Sequence, residues 1–357
     1  MGLTHRARAN LSAAAAALAV TGALTYPACV QELPIQQTDT ALPYVDGAVL
    51  LDSTTQSLAL GITDGIRVRG EVISDATVEV HDLTTGAIHD YRHVGDGRYV
   101  ATFRGVLDHA YQLRLDIPAL GTFRSRPDSL AAPTYDLSAE AGLQRRLTRE
   151  GETVTGNVVT GDLTVVTRPG RSPAGVLTVR PYVIWSYADQ VCDPFDNIGT
   201  CYFVERPEFA PFATVDLADF SADGDTALVS VGAEPLDYRW AGDAFVALET
   251  RRYSPAATAY FTALSRTLNP TGSPLDERPL PTVGNVASES NGRGLLGFFG
   301  VADARVLYAS GAASLQAQGR RVAGPCAGAR RGIPTEIDCC YCDLTPGALT
   351  ERPSYLP

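Results

Sequence analysis

The sequence predicts a mostly β protein with two immunoglobulin-like antiparallel β-sandwich domains, one inserted helix and a cysteine-rich C-terminal tail. Segments in which apolar and polar residues alternate recur along the chain, and this period of two is typical of half-buried strands. Clusters of glycine, proline and aspartate separate these segments at short intervals, as the turns of a sandwich do. Only one segment, residues 255–267, combines helix-forming composition with helix-specific ends.

The first sandwich is predicted over residues 41–128. Alternation is clearest here, and glycine-containing turns lie between the strands, which favours antiparallel pairing of neighbours. The predicted strands are residues 76–81, 98–103 and 111–117, and the predicted turns are residues 84–86 and 95–97.

The second β-rich domain is predicted over residues 129–318. It begins with a linker, residues 128–150, in which residues 139–149 form a weak helical patch. Gly, Pro and Asp clusters again separate the apolar segments that follow. The predicted strands are residues 176–179, 182–187, 227–231 and 244–249, with paired strands within residues 295–308.

The predicted helix has recognisable ends. Ser254 is a candidate N-cap, and Pro255 suits the first helical position because the nitrogen there needs no intrahelical partner. Asn269-Pro270 ends the helix, since proline does not continue it. Residues 319–357 form the cysteine-rich tail.

The N-terminus predicts export and lipidation. Arg6 and Arg8 precede an apolar run of residues 11–24, and Ala28-Cys29 follows, so residues 1–28 are a predicted signal peptide. Cys29 then becomes a lipidated N-terminus, with residues 29–40 as its tether. The alternative is ordinary signal-peptidase cleavage nearby, which leaves Cys29 as a structural thiol. The apolar run is too short for a permanent membrane span, which takes about 20 residues.

The cysteine count fits one lipidated residue and three disulfides. Of the seven cysteines, six remain after Cys29 is set aside: Cys192, Cys201, Cys326, Cys339, Cys340 and Cys342. An even number suits pairing in an oxidising compartment. A disulfide between Cys192 and Cys201 is the first interpretation, because it closes a turn-rich loop.

Two metal sites are the alternatives to this pairing. A calcium loop would use the oxygen ligands of Asp189, Asp193, Asp196 and Asn197, although the spacing is not that of an EF-hand. Cys326 with the three cysteines of residues 339–342 would form either two disulfides, in one of three connectivities, or a zinc site. Two disulfides are favoured, since neighbouring cysteines do not converge on one ion as a C-x2-C pair does.

No pattern predicts catalysis or a cofactor. The histidines of the mature chain are expected at the surface or in cross-strand pairs: His81, His89, His93 and His109. Gly292 to Gly297 match GxGxxG, but a polar loop precedes them and a strand follows, so a glycine-rich loop is predicted instead of a nucleotide site. Tyr182, Trp185 and Tyr187 are expected in a sandwich core, with a sugar-binding platform as the alternative.

The net charge excludes binding of nucleic acid through the general field of the protein. It is −11 for the whole chain, and cleavage after residue 28 removes two arginines and no acid, which leaves about −13. Carboxylates are numerous, so their count alone leaves a glycosidase-like acid pair open.

The chain resembles an uncharacterised family of Bacteroidota outer-membrane lipoproteins, a domain of unknown function whose genes often lie beside genes for TonB-dependent receptors. The resemblance rests on the order of its landmarks along the mature chain. They are Cys29, Gly97-Arg98-Tyr99, Tyr182 to Tyr187, Cys192, Cys201-Tyr202, Val246 to Phe261, Asn269-Pro270, Gly297-Phe298-Phe299-Gly300, Cys339-Cys340-Tyr341-Cys342 and Arg352-Pro353-Ser354-Tyr355.

The resemblance implies a lipid-anchored outer-membrane protein that serves as a non-catalytic accessory or binding module for a TonB-dependent β-barrel receptor, in nutrient uptake or envelope assembly. It transfers no catalytic residue, and no cofactor or metal is expected. An envelope glycan hydrolase that uses a carboxylate pair is one alternative, and a purely structural envelope protein is another. Which face of the membrane the protein occupies and which ligand it binds are left open.

Overall fold

The computed structural model describes residues 42–356 with several gaps. The gaps are residues 64–70, 119, 151, 169–173, 189–199, 207–212, 221–225, 269–281, 327–336, 338–340 and 355, and only the backbone is described for residues 146–150, 152–156, 233 and 283. The predicted signal peptide, Cys29 and the tether therefore lie outside the described residues.

Sixteen strands dominate the described residues, so the predicted mostly β class is confirmed. They are β1 (Pro43–Leu50), β2 (Thr55–Ile62), β3 (Thr77–Asp82), β4 (Ile88–Gly95), β5 (Arg98–Thr102), β6 (Tyr111–Ile117), β7 (Gly121–Ser125), β8 (Tyr135–Glu150), β9 (Glu152–Thr167), β10 (Val176–Ala188), β11 (Thr200–Glu205), β12 (Ala213–Asp216), β13 (Thr226–Pro235), β14 (Ala244–Tyr253), β15 (Val283–Ser288) and β16 (Gly294–Ser310). The two helices among the described residues are α1 (Thr258–Leu268) and α2 (Gly311–Ala317).

Nine strands form a closed, barrel-like sheet. Their order is β1-β2-β5-β4-β3-β6-β7-β15-β16, and parallel pairing of β1 with β16 closes the ring. All other pairs in the ring are antiparallel. Alternate residues of β6 point inward: Tyr111, Leu113, Leu115 and Ile117 are buried in the core of this closed sheet. The period of two in the sequence therefore corresponds to one face of the sheet.

The same sheet continues beyond the ring through β16. Residues up to Ala302 pair with β1, and residues from Ala302 to Ser310 pair with β14. β10 and then β11 and β12 extend the sheet from β14. The predicted pair of strands within residues 295–308 is wrong, because one strand of 17 residues runs through both parts.

A separate three-stranded sheet of order β13-β9-β8 covers the extension. The inner side chains of the two layers form a second core, which includes Leu163 and Val165 of β9 and Val246 and Leu248 of β14. The layers pack closely at Gly161, where a Cβ would lie 2.6 Å from Val246 Cγ1. A larger residue at this position would push the sheets apart.

The predicted linker at residues 128–150 and its helical patch at residues 139–149 are wrong. Residues 135–150 form β8, which pairs with β9 along its whole length. Leu137, Ala139, Ala141 and Leu143 pack against the second core. Alanine-rich composition favours helix only weakly, and burial of every second residue outweighs it here.

The predicted helix is confirmed, with a correction at its N-terminus. A 3-10 turn over Pro255–Ala257 leads into α1, and Pro255 lies in the first turn as expected. Ser254 makes no capping hydrogen bond, because its hydroxyl binds Asp128 instead. α2 is an additional helix outside the predicted elements.

Two independent immunoglobulin-like sandwiches are not confirmed. A closed sheet and a two-layer extension share β16, and residues 41–357 group into one compact unit. The domain boundaries drawn at residues 128 and 318 stay a prediction. No helix within the described part of the chain has the length and apolar character needed to cross a membrane.

Asp128 joins the two parts where β16 passes between them. Its backbone forms a bridge with Tyr111 of β6. Its Oδ1 accepts a hydrogen bond from Ser254 Oγ, and its Oδ2 accepts one from the Val301 N–H at 2.8 Å. Burial raises the pKa of Asp128, against the opposing effect of these hydrogen bonds. A Cβ at Gly300 would lie 2.5 Å from Asp128 Oδ2, so glycine leaves room for this carboxylate.

We expect Asp128→Ala to lower the free energy of unfolding by about 3 kcal/mol, because it leaves the buried Val301 N–H and Ser254 hydroxyl without acceptors. Asp128→Asn is the matched control. Its amide oxygen still accepts from the Val301 N–H, and its amide N–H can donate to the Ser254 hydroxyl. The asparagine variant should lose less than half as much in urea unfolding. Equal losses in the two variants would contradict the hydrogen-bonding role.

Candidate functional site

Three carboxylates surround Arg239 and pair with its guanidinium. A 3-10 turn over Tyr238–Ala241 carries this arginine, and Asp237 caps the turn by accepting from the Arg239 N–H. Glu205 is the last residue of β11, and Glu234 lies near the end of β13. Three separate segments thus bring three carboxylates to one guanidinium. We call these four residues the Arg239 cluster.

The guanidinium contacts all three acids. Nη1 donates to Glu205 Oε2 at 2.8 Å, and Nη2 lies 3.3 Å from Glu234 Oε2. Nε is shared between the two Asp237 oxygens, at 3.0 and 3.1 Å. The second oxygen of Glu205 accepts from Trp185 Nε1 at 2.7 Å. Charge-assisted bonds of this kind fix both the turn and the indole ring.

Burial and nearby charges have opposite effects on the pKa values of Glu234 and Arg239. Burial raises the pKa of Glu234, and the positive charge of Arg239 reduces that effect. Burial lowers the pKa of Arg239, but hydrogen bonds and charges from Asp237 and Glu205 outweigh it, so the net shift is upward. Arg239 therefore stays charged, and the raised pKa of Glu234 favours its protonation as the pH falls.

The arrangement favours a structural role over acid–base catalysis. Glu205 and Glu234 are both bound to Arg239, so the arginine already occupies the position between them. Trp185 is 2% exposed and stacks on Phe203 with ring centroids 4.3 Å apart. The cluster thus ties β11, β13 and the 3-10 turn together at one end of the second core.

The predicted core position of the aromatic strand is confirmed. Trp185 and Tyr187 point into the second core, whereas Tyr182 lies on the opposite face of β10, buried against Ile184 and Ala247. Arg206 covers the Tyr182 ring at 4.6 Å. The sugar-platform alternative would need exposed rings, and all three of these side chains are buried.

The predicted disulfide between Cys192 and Cys201 is wrong, because Cys201 is bonded to Cys342. The tail returns to the edge of the extended sheet, where Leu349 forms a bridge with Tyr202 of β11, and this places Cys342 beside Cys201. Pairing of the four tail cysteines only with each other is wrong for the same reason. The bond spans 141 residues in sequence, so spacing alone gave no sign of it.

The other predicted cysteine sites are described only in part. Cys326 is disulfide-bonded, as is Cys342, so neither supplies a free thiolate for the zinc alternative. Cys192, Cys339 and Cys340 lie outside the described residues, and so do all four residues of the calcium-loop alternative. The described residues contain no cluster of three or more His, Cys, Asp or Glu side chains suited to a metal.

The histidines take the surface and cross-strand positions that the sequence predicts. His89 stacks on Phe103, and His93 lies beside Tyr99. His81 binds Glu79 at 2.9 Å. His109 Nδ1 lies 2.8 Å from Asp82 Oδ2, and the other oxygen of Asp82 accepts from the backbone of the turn at residues 84–85.

The Asp82 carboxylate stabilises its turn electrostatically. Burial raises the pKa of Asp82, but hydrogen bonds from His109 and from the Thr84–Thr85 turn outweigh this effect and lower it. Sequence spacing does not reveal the pair, since His109 lies 27 residues from Asp82.

The glycine string at residues 292–297 is a loop that enters a strand, as predicted. Gly292 has a positive φ of 71° in the turn before β16. Gly297 lies within β16, where a Cβ would be 1.7 Å from the Val45 carbonyl oxygen. Close pairing with β1 thus explains this glycine.

Comparisons with known proteins give no match. No protein-family model, no curated protein and no solved structure matches this chain. The resemblance to a lipoprotein family therefore stays a prediction.

Peptide mapping without reduction should recover Cys201 linked to Cys342. A double Cys201→Ser/Cys342→Ser variant should lose stability, by up to about 4–5 kcal/mol in the loop-entropy account for a loop of this length. Thermal unfolding of wild-type and variant proteins measures the loss. Recovery of a Cys192–Cys201 peptide instead would contradict the structure.

We expect Arg239→Met to lower the free energy of unfolding at pH 7 by about 2–3 kcal/mol, after discounting for the partly exposed carboxylates that it leaves unpaired. Without Arg239 the folded-state pKa of Glu234 rises further above its unfolded value. An acid whose pKa is raised in the folded state stabilises the protein at low pH. This stabilisation is lost as the pH rises through the folded-state pKa. The loss should therefore be smaller near pH 4.5 than at pH 7 in urea titrations.

Arg168→Met is the matched control for this experiment, because Arg168 pairs with Asp136 in an exposed position. Its effect should be small and nearly independent of pH. A pH-independent loss in Arg239→Met would show that lost packing, and not charge, dominates at the cluster.

Proposed function

We propose that this chain is an exported, lipid-anchored protein of the cell envelope that acts as a non-catalytic binding module, with an outer-membrane TonB-dependent β-barrel receptor as its partner. The N-terminal sequence carries the proposal of export. Arg6 and Arg8, the apolar run and the Ala28-Cys29 junction have the order of a lipoprotein signal.

The cross-link between Cys201 and Cys342 supports an oxidising compartment. Such bonds persist outside the cytosol and are rare inside it. This bond fixes a C-terminal tail whose Leu356 packs on the face formed by Tyr182, Ile184 and Tyr308. A disulfide-bonded tail of this kind suits a protein that functions outside the reducing cytosol.

The Arg239 cluster argues against glycan hydrolysis by its own pair of glutamates. A hydrolase needs two carboxylates with space for a glycosidic bond and water between them. At this cluster, the arginine fills the position between Glu205 and Glu234, and Trp185 is buried beneath them.

A corner of the closed sheet offers an interaction surface. Leu83 and Ile88 flank the turn between β3 and β4, and Val106 and Leu107 lie in the loop before β6. All four side chains are exposed, and a hydrogen bond from the Leu83 N–H to the Ala110 carbonyl ties the two loops together. We call these four residues the apolar corner. Exposed apolar groups on adjoining loops are typical of protein contact sites.

Affinity isolation tests this proposal, using a tag after Pro357 and protein solubilised from native membranes. Mass spectrometry should recover a TonB-dependent receptor with the wild-type protein. A Leu83→Ser/Leu107→Ser variant should lose the receptor while keeping its thermal stability, because both side chains are exposed. Leu228→Ser is the matched control, since Leu228 is an exposed leucine on β13 and should leave binding intact.

A Cys29→Ser variant separates the anchor from the partner. It should lose the lipid mass and leave the membrane fraction, whereas purified receptor should still bind it. Absence of any β-barrel receptor from the wild-type isolate would refute the partner, and unchanged membrane retention of Cys29→Ser would refute the anchor.

A further inference from the structure

The strands of the closed sheet run between two rims, and the described chain begins at one of them. Pro43 at the start of β1 pairs with Ile62 at the end of β2. The pairing around the ring brings the β4–β5, β6–β7 and β15–β16 turns to the same rim. We call it the chain-start rim. The polypeptide that precedes Leu42 therefore joins the molecule there.

The apolar corner lies at the opposite rim, which we call the corner rim. Its two loops precede β4 and β6, and Tyr111 at the start of β6 pairs with Asp82 at the end of β3. β6 joins the two rims with seven residues, so the rims lie about 20 Å apart at about 3.3 Å per residue. The start of the described chain and the surface proposed for the receptor are thus at opposite ends of the closed sheet.

Exposed apolar side chains also mark the chain-start rim. Val72, Val94 and Leu120 are each 40–50% exposed. Val94 lies at the end of β4, and Leu120 directly precedes β7. Val72 forms a bridge with Gly61 near the end of β2, and a Cβ at Gly97 would lie 2.7 Å from Val72 Cγ1, so Val72 is beside the turn that follows Val94. Exposed apolar groups of this kind suit the boundary between lipid headgroups and acyl chains.

The charges near these apolar side chains have both signs. The exposed charged residues of the chain-start rim include Glu71, Asp75, Asp96, Arg98, Glu289 and Arg293. The acids among them make an anionic bilayer unfavourable, whereas a zwitterionic phospholipid presents both a phosphate and an ammonium. The surface that fits this rim is therefore a zwitterionic bilayer.

The predicted tether favours the chain-start rim over the corner rim as the side that meets lipid. Residues 29–40 join the predicted lipid on Cys29 to the first strand, and a chain of that length spans at most about 40 Å. Contact of the corner rim with the bilayer would need about half of that span to run along the height of the sheet. Stretching a chain in this way costs conformational entropy, which contact at the chain-start rim avoids.

We propose that the chain-start rim rests on the surface of a phospholipid bilayer, with Val72, Val94 and Leu120 at the level of the headgroups, and that the apolar corner faces away from it. This orientation rests on the proposed function, because it requires the lipid on Cys29. The apolar corner is then about 20 Å from the bilayer surface, so it meets a part of the receptor that lies outside the hydrocarbon region.

Quenching of tryptophan fluorescence by brominated phosphatidylcholine shows which rim meets the lipid. The lipidated protein is reconstituted in phosphatidylcholine liposomes with and without the brominated lipid. Val94→Trp and Leu120→Trp should each lose most of the emission that they add to the wild-type signal, because bromine quenches nearby indoles. Trp185 and Trp240 are 2% exposed in the second core, so the wild-type protein supplies a constant background.

Leu107→Trp is the matched control, because it places the same indole on the corner rim. Indoles favour membrane interfaces by themselves, and this variant measures that tendency. Its added emission should be quenched severalfold less than that of Val94→Trp.

A second variant separates contact by the rim from tethering by the lipid. Val72→Asp/Leu120→Asp, introduced into the Val94→Trp protein, should lower the quenching severalfold, while the lipid mass and the retention on liposomes stay unchanged. Val106→Asp/Leu107→Asp in the same background should leave the quenching as it was, because both residues lie on the corner rim.

The outcomes distinguish the orientation from the anchor. A wild-type protein without the lipid mass would refute the anchor, and the orientation would fail with it. Equal quenching of Val94→Trp and Leu107→Trp in the lipidated protein, or stronger quenching of Leu107→Trp, would overturn the orientation and leave the anchor intact. Unchanged quenching in the Val72→Asp/Leu120→Asp protein would also overturn it, because these side chains would then make no contact with the bilayer.

Discussion

The hydrogen bonds of Asp128 stabilise the junction where β16 leaves the closed sheet and enters the two-layer extension. The carboxylate links the end of β7, the Val301 amide of β16 and Ser254 between β14 and α1. Desolvation makes an ionised carboxylate costly in this position, and the hydrogen bonds that it accepts reduce that cost. Gly300 is required beside it, because a side chain would meet Asp128 Oδ2.

Buried polar groups are concentrated around this junction. Ser254 and Arg252 lie two residues apart on one strand end, and Val301 and Asp303 lie two residues apart on β16. Asp128 accepts hydrogen bonds from the Ser254 hydroxyl and the Val301 N–H, whereas Arg252 and Asp303 face each other without a hydrogen bond. Paired strands form backbone hydrogen bonds on both sides of the junction. Side chains therefore determine how the closed sheet and its extension are arranged at the junction. Apolar packing alone would leave this arrangement less well defined.

The sequence predicted local features well and long-range ones poorly. Alternation located β3, β5 and β6, and Pro255 marked the start of the helix, since these signals depend only on neighbours. β8 was mistaken for a linker because its alanines pack against a sheet formed by residues far along the chain. The Arg239 cluster combines three distant segments, and Cys201 meets Cys342 only because the tail returns to β11. Asp237 before a turn was the one local signal of that cluster.

Because β16 runs through both the closed sheet and its extension, and Asp128 fastens the two parts, they should unfold together. This coupling distinguishes one shared framework from two linked sandwiches. Differential scanning calorimetry of residues 41–357 tests it most directly. We expect one transition whose calorimetric enthalpy equals its van't Hoff enthalpy. Two separable transitions, with residues 42–130 unfolding independently of the rest, would contradict it.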